Sequence, residues 1–208
     1  MRRNLERRAA LVDAAIEVLA GEGARGLTFR AVDAEAGVPA GTASNYFANR
    51  DDLFMQVGGR IYERLQPDAA TLAVAVEGPR DLAKVTELMH GLVGRLADFR
   101  TGYLALLELR LEATRRPELR AVLTERVREN VEANISYHLD SGLPGDATSV
   151  RLLYLALNWL IVEHLTLPGV FSEDEVQELV AIAVERAAPH GPSEHGPSEH
   201  GPSDSGER

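Results

Sequence analysis

The sequence predicts an all-α protein, an N-terminal three-helix unit of helix-turn-helix type on a longer helical body, about nine helices in all. Three observations predict it. Apolar residues recur at spacings of three and four along most of the chain, and no stretch shows the period of two that a strand requires. Residues 28–47, TFRAVDAEAGVPAGTASNYF, read as two short helices around a tight turn at Ala36-Gly37-Val38. Residues 150–167 are apolar on nearly every side, and a helix of that kind has to be buried all round.

The elements follow in order. A first helix over 5–22 places Leu5, Val12, Ile16 and Leu19 on one face and ends at Gly23. Thr28 is a good N-cap for the second, which turns Phe29, Val32 and Ala36 inward. Pro39 suits the first position of a third helix over 39–47, where its missing N–H is not needed. Asn49 caps a fourth that stops near Leu65, with Asp51 and Asp52 favoured at its positive end. Residues 67–79, with Pro67, Gly78 and Pro79, form a connector. The body begins with a helix over 80–99, striped by Leu82, Val85, Met89, Leu92 and Leu96. Helices over 101–116 and 117–139 follow, the latter opened by Pro117 and broken by Ser141-Gly142-Leu143-Pro144-Gly145. Asp146 or Thr148 starts the apolar helix that runs to Leu167. Ser172 and Glu175 make a capping box for the last helix, ending near Ala188.

The tail from Pro189 repeats HGPSE, with His190, His195 and His200 five residues apart. Rich in Gly, Pro and Ser, it lacks the apolar surface to order itself and offers a metal ion no preorganised geometry, so disorder is expected and no metal site. The domain division is then 1–65 for the helix-turn-helix unit, 66–188 for the helical body and 189–208 for the tail.

Composition excludes several function classes. The absence of cysteine removes disulfides, thiolate metal sites and cysteine nucleophiles. The N-terminus is charged and then amphipathic, unlike a secretory signal. The apolar stretch 150–167 holds Arg151, Asn158, Glu163 and His164, so it reads as a buried helix and not a membrane span. A cytoplasmic location without membrane partners is expected. The net charge of −10 is unevenly spread. Residues 1–66 carry nine Arg and nine Asp or Glu, whereas 67–208 carry 13 basic and 23 acidic residues and hence the whole excess. A neutral head predicts modest non-specific affinity for a polyanion.

The second helix of a helix-turn-helix enters the DNA major groove, and residues 39–47 have the side chains for that task. Ala40 and Gly41 let backbone approach the bases, and Thr42 brings a hydroxyl and a methyl. Ser44 and Asn45 offer donors and acceptors, Asn being well matched to adenine. Tyr46 reaches a phosphate, and Phe47 anchors the segment on its opposite side. Thr28, Arg30 and Arg50 flank the pair, Arg50 at a helix N-terminus that favours an anion, while Arg2 and Arg3 reach toward phosphates or the minor groove. The DNA-contacting set is thus Arg3, Thr28, Arg30, Ala40, Gly41, Thr42, Ser44, Asn45, Tyr46 and Arg50.

The run from Arg7 to Leu65 resembles the N-terminal domain of the tetracycline repressor (TetR) family. The apolar first helix, Leu27-Thr28, Ala36-Gly37-Val38, Gly41-Thr42, Tyr46-Phe47 and Asp51-Asp52-Leu53-Phe54 match in order and spacing. Ser44 stands where the family usually has an aromatic, so one habitual DNA contact differs. The resemblance implies a small-molecule pocket enclosed by the helices over 80–139 and a four-helix dimer interface from the last two. The residues support both. The helix over 150–167 carries more apolar surface than one domain core covers, and the helix over 172–188 adds Val176, Leu179, Val180 and Ala183. A two-fold homodimer buries the same patch on each partner. Met89, Tyr103, Leu107, Tyr137 and Trp159 suit an apolar cavity, with His90, Arg110, Asn158 and Glu163 as the few polar groups that orient a guest. The Arg/Glu-rich run from Glu108 to Arg128 suits a solvated face with helical ion pairs.

The expected function is a DNA-binding regulator, a repressor released from a near-palindromic operator by an unidentified small apolar or amphipathic effector, without cofactor or catalytic residues. Two rivals are a helical enzyme that has kept such a head and a scaffold whose head contacts protein. No nucleophile motif or clustered acid–base set supports the first.

Overall fold

A computed structural model describes the backbone of residues 2–68, 71–73 and 77–188, and their side chains from Asn4 onward. Arg3's side chain, part of the connector and the HGPSE tail therefore lie outside the described residues. Within them every regular element is helical: α1 (Arg2–Gly26), α2 (Phe29–Glu35), a 3-10 turn (Ala43–Asn45), α3 (Arg50–Leu65), α4 (Leu82–Asp98), α5 (Arg100–Ala113), α6 (Pro117–Asp140), α7 (Ala147–Thr166) and α8 (Glu173–Ala187). No helix among them is long and apolar enough to cross a membrane.

Capping residues set most boundaries where the sequence places them. The side chains of Thr28, Asn49, Asp81, Asp146 and Ser172 each accept from a backbone N–H in the first turn of α2, α3, α4, α7 and α8. Both α7 and α8 carry reciprocal capping boxes, Asp146 with Ser149 and Ser172 with Glu175.

Three expectations change. Gly23 does not end α1 but kinks it, with φ at 69°, and the helix resumes to Gly26. Glu108 Oε2 on α5 takes the Ala24 N–H at that kink, at 3.1 Å. Leu5 is 63% exposed, because the buried face of α1 starts only at Leu11. No continuous helix spans 39–47. Gly41 adopts φ 89°, outside the helical region, so the segment closes as consecutive tight turns with a single 3-10 element.

The head does not own a separate core. Leu11, Ala15, Ile16 and Leu19 of α1 pack with Val32, Phe47, Leu53, Phe54, Val57 and Ile61 of the head. The same cluster continues into Ala105, Leu106 and Leu109 of α5 and Leu119 and Leu123 of α6. A second cluster joins α4, α5, α7 and α8 through Val93, Tyr103, Leu157, Ile161, Val176 and Val180. Helix α5 therefore belongs to both cores.

Polar contacts fix the angle at this seam. Arg116, the residue just before α6, pairs with Asp51 at the N-terminus of α3 and, at 2.9 Å, with Glu112 on α5. Its guanidinium lies 5.0 Å from the centre of the Phe54 ring, and that of Arg50 lies 5.1 Å from it. The hydrogen bond from Arg116 is the main reason the Glu112 carboxyl sits below the usual carboxylate range, with Arg115 adding to it. A carboxylate whose pKa is lowered by folding adds stability that is present above its unfolded value of 4.5 and lost as the pH falls through the folded one. Glu112→Gln should therefore be less stable than the wild type at neutral pH. That difference should shrink as urea melts are carried below pH 4.5.

Candidate nucleic-acid interface and body site

Where α2 ends, Gly37 at φ 63° reverses the chain. Its N–H bonds the Ala34 carbonyl at 3.2 Å and the Val38 N–H bonds the Asp33 carbonyl at 3.0 Å, the paired bonds of a glycine-terminated helix. The following segment lacks helical partners for its amides. Asp33 supplies them. Its side chain is 2% exposed, and its two oxygens accept from Gly41 N–H and Ala43 N–H, each at 2.7 Å. One buried carboxylate thus clamps the turn segment onto α2. The sequence reading passed over Asp33, although the signal was present: a carboxylate on the inward stripe of α2, eight residues before a glycine at the next turn.

Below the clamp, Ala43 and Phe47 are buried, and the Phe29 and Phe47 rings stack with centroids 6.4 Å apart. Arg8 of α1 covers Phe47 at 5.3 Å. Above it the polar side faces outward. Thr28, Arg30, Ala40, Gly41, Ser44 and Asn45 are exposed, with Thr42 and Tyr46 half-buried. The short side chains fold back on their own turn. Thr42 Oγ1 donates to the Pro39 carbonyl, and Ser44 Oγ and Asn45 Nδ2 donate to that of Gly41 at 2.8 and 3.0 Å. All three bonds are solvent-exposed. Thr28 Oγ1 is engaged as the α2 cap, 3.1 Å from Ala31 N. Arg50 differs from expectation: it turns toward Phe54, and its buried Nε has no hydrogen-bond partner. The aromatic face and the Asp51–Arg116–Glu112 cluster draw it to the seam, whereas Arg30 is exposed.

In the body, Tyr103 is 4% exposed and donates through its hydroxyl to Asn158 Oδ1 at 2.8 Å. Asn158 Nδ2 donates in turn to the Tyr154 carbonyl at 2.6 Å. Burial pushes the Tyr103 phenol up to about 12 and raises that of Tyr62, so both stay protonated donors at physiological pH. Met89 and Leu107 pack against the same core. His90 Nε2 instead meets the Gln177 carbonyl at 3.0 Å, tying α4 to α8. Two of the residues expected in this group stand apart: Tyr137 is exposed on α6, and Trp159 is 66% exposed on the outer side of α7. Trp159 borders a separate concavity of about 400 Å³, with Ala156, Leu160, Phe171, Leu179 and Ile182 among its lining. Helical periodicity alone could not tell which side of an all-apolar helix meets the body.

Comparison with known proteins decides the family. Residues 80–189 match the Tetracyclin repressor-like, C-terminal domain, and residues 11–57 match the Bacterial regulatory proteins, tetR family. The chain belongs to the TetR family. It is 31% identical over 135 residues to the HTH-type transcriptional regulator BetI of Agrobacterium fabrum, a match covering 62% of this chain and 64% of that relative. Among solved structures, the multidrug binding protein EbrR complexed with ethidium is 32% identical, with 86% of this chain and 98% of that one covered and a TM-score of 0.61. A TetR-family member from Streptomyces coelicolor A3 is 29% identical, over 89% and 99% of the two chains, with a TM-score of 0.64. The family consists of transcriptional regulators and not enzymes, which removes the enzyme reading.

The clamp yields a direct expectation for this TetR-family head. Asp33→Ala leaves two amides without their acceptor and should cost about 1–3 kcal/mol in chemical denaturation. Asp33→Asn, keeping one acceptor oxygen, should fall between. Equal stability of all three proteins would show that the clamp contributes nothing.

Proposed function

We propose that this protein is a homodimeric transcriptional repressor that leaves a near-palindromic operator when a small apolar or amphipathic molecule occupies its body. The observation that carries this reading is the outward polar surface of residues 40–46, locked from beneath by Asp33, Ala43 and Phe47. Residues 1–65 then act as the DNA-binding unit and 66–188 as the ligand-binding and dimerisation unit, a division of labour across a shared core. Such a regulator works in the bacterial cytoplasm, beside the chromosome.

Direct readout falls to Thr42, Ser44 and Asn45, and phosphate contact to Arg30, Tyr46 and Arg3. A dimer presents two such surfaces to successive major grooves about 34–36 Å apart. The dimer face is the apolar outer side of α7 and α8. Leu152, Leu155 and Trp159 are exposed on α7 and Ile182 on α8, with Leu155 at 63%. An exposed apolar stripe of that length beside a concavity marks an interface, and Trp159 is its natural anchor. An effector near Tyr103 would act by binding more tightly to a dimer whose heads no longer match the groove spacing.

Two experiments test this. In titrations against the gene's own upstream DNA, Arg30→Ala should weaken all sequences alike and lower the salt slope by about 1. Asn45→Ala should change the preferred sequence, costing about 1–3 kcal/mol at one base position. Absence of any salt-sensitive, competitor-resistant complex with that DNA would end the regulator reading. In sedimentation equilibrium, Trp159→Glu should convert dimer to monomer while circular dichroism stays helical, and an unchanged dimer would place the interface elsewhere.

A further inference from the structure

We infer that Glu163 and Arg186 form two reciprocal ion pairs between protomers, and that these pairs decide which chains this protein accepts as a dimer partner. The inference rests on the dimer reading above and adds to it the charges that select the partner.

The outer concavity of α7 and α8 holds about 400 Å³ and is walled by Ala156, Trp159, Leu160, Phe171, Leu179 and Ile182. Its lining carries one acid, Glu163, and one base, Arg186. The sequence places Glu163 among the polar groups of the body site; the fold sets it on this outer concavity instead. Glu163 is half-buried and Arg186 exposed. Among the described residues neither side chain makes a hydrogen bond or an ion pair.

Their places on the helices explain why they do not meet within one chain. Helices α7 and α8 run antiparallel: Leu160, Ile161 and Leu165 share a cluster with Val176 and Val180, and Leu153 shares one with Val184. Glu163 therefore sits at the end of the concavity nearest the connecting loop. Arg186 sits at the other end, about 15 Å farther along α8 than Val176.

A face with an acid at one end and a base at the other is self-complementary about a two-fold axis that runs across the helices. Rotation about that axis reverses the ends. Glu163 then comes opposite the partner's Arg186, and Arg186 opposite the partner's Glu163. Desolvation favours the same pairing. Leu152, Leu155, Trp159 and Ile182 expose the apolar surface that a second copy would cover. Covering it also takes Glu163 out of water, and a carboxylate buried without a cation is strongly destabilising. The base in the same lining is Arg186. A chain of similar shape that lacks either charge would leave its opposite number uncompensated, so the pairs act as a filter against mixed dimers.

Charge reversal in the full-length protein tests the pairing by sedimentation equilibrium, with circular dichroism to check the helices. Glu163→Arg sets guanidinium against guanidinium at both ends of the interface, and Arg186→Glu sets carboxylate against carboxylate. Each variant alone should dimerise about tenfold more weakly than wild type, or worse. Mixed in equal amounts, the two should form a heterodimer of near wild-type affinity, because every pair between protomers is then opposite in charge. The double variant should dimerise with itself but not exchange into wild-type dimers. Wild-type affinity in either single variant, or failure of the mixture to regain it, would overturn the pairing. Recovery in the double variant without recovery in the mixture would overturn it too, by placing the pair inside one chain. If Glu163→Arg loses helical signal, Glu163→Gln and Arg186→Gln answer the same question. Their losses of dimer affinity should be less than additive, and full additivity would count against the pairing. A monomeric wild type would instead sink the dimer reading itself.

Discussion

The packing of α1 against α5 is the constraint on which the rest of the structure depends. Leu11, Ile16 and Leu19 sit in the same apolar cluster as Ala105, Leu106 and Leu109, so head and body exclude water from one common interior. Close-packed interiors carry strain from one element to the next, so α1 and α5 hold a fixed relation to each other. Polar contacts around the seam fix the angle between head and body: Glu108 on the α1 kink, Arg116 between Asp51 and Glu112, and Arg64 stacked 4.1 Å over the Phe99 ring where α4 meets α5.

The recognition turn obeys a different constraint, the need of buried backbone amides for acceptors. A regular helix over 39–47 would satisfy the Ala43 amide internally, though not that of Gly41 in its first turn. Gly41 at positive φ forbids it, and the Asp33 carboxylate takes over the task. The result is a short rigid surface whose outward side chains are held by weak exposed bonds. Such a surface is ordered where it meets the protein, while its exposed side chains keep only weak solvent-facing bonds.

Electrostatics in the head are also spent partly on architecture. Asp13 takes a two-pronged contact from Arg60, at 2.9 and 3.0 Å, and a weaker one from Arg64. Arg50 and Arg8 lie over Phe54 and Phe47. Of the nine arginines in a head with nine acids, several thus hold the fold together, and fewer remain to attract phosphates.

By itself the sequence determined the helical class, the caps at Thr28, Asn49, Asp146 and Ser172, the reversal at Gly37 and the inward anchoring of Phe47. Each of these follows from residues within about one helical turn of one another, where spacing and backbone geometry suffice. Only the tertiary structure decided that Asp33 clamps the recognition turn, that Arg50 retreats to the seam and that Trp159 faces outward while Tyr103 reaches Asn158. Those facts depend on which of several equally apolar or equally charged faces meets a neighbour distant in the chain. A periodic pattern marks a face, but choosing its partner takes the whole packed core.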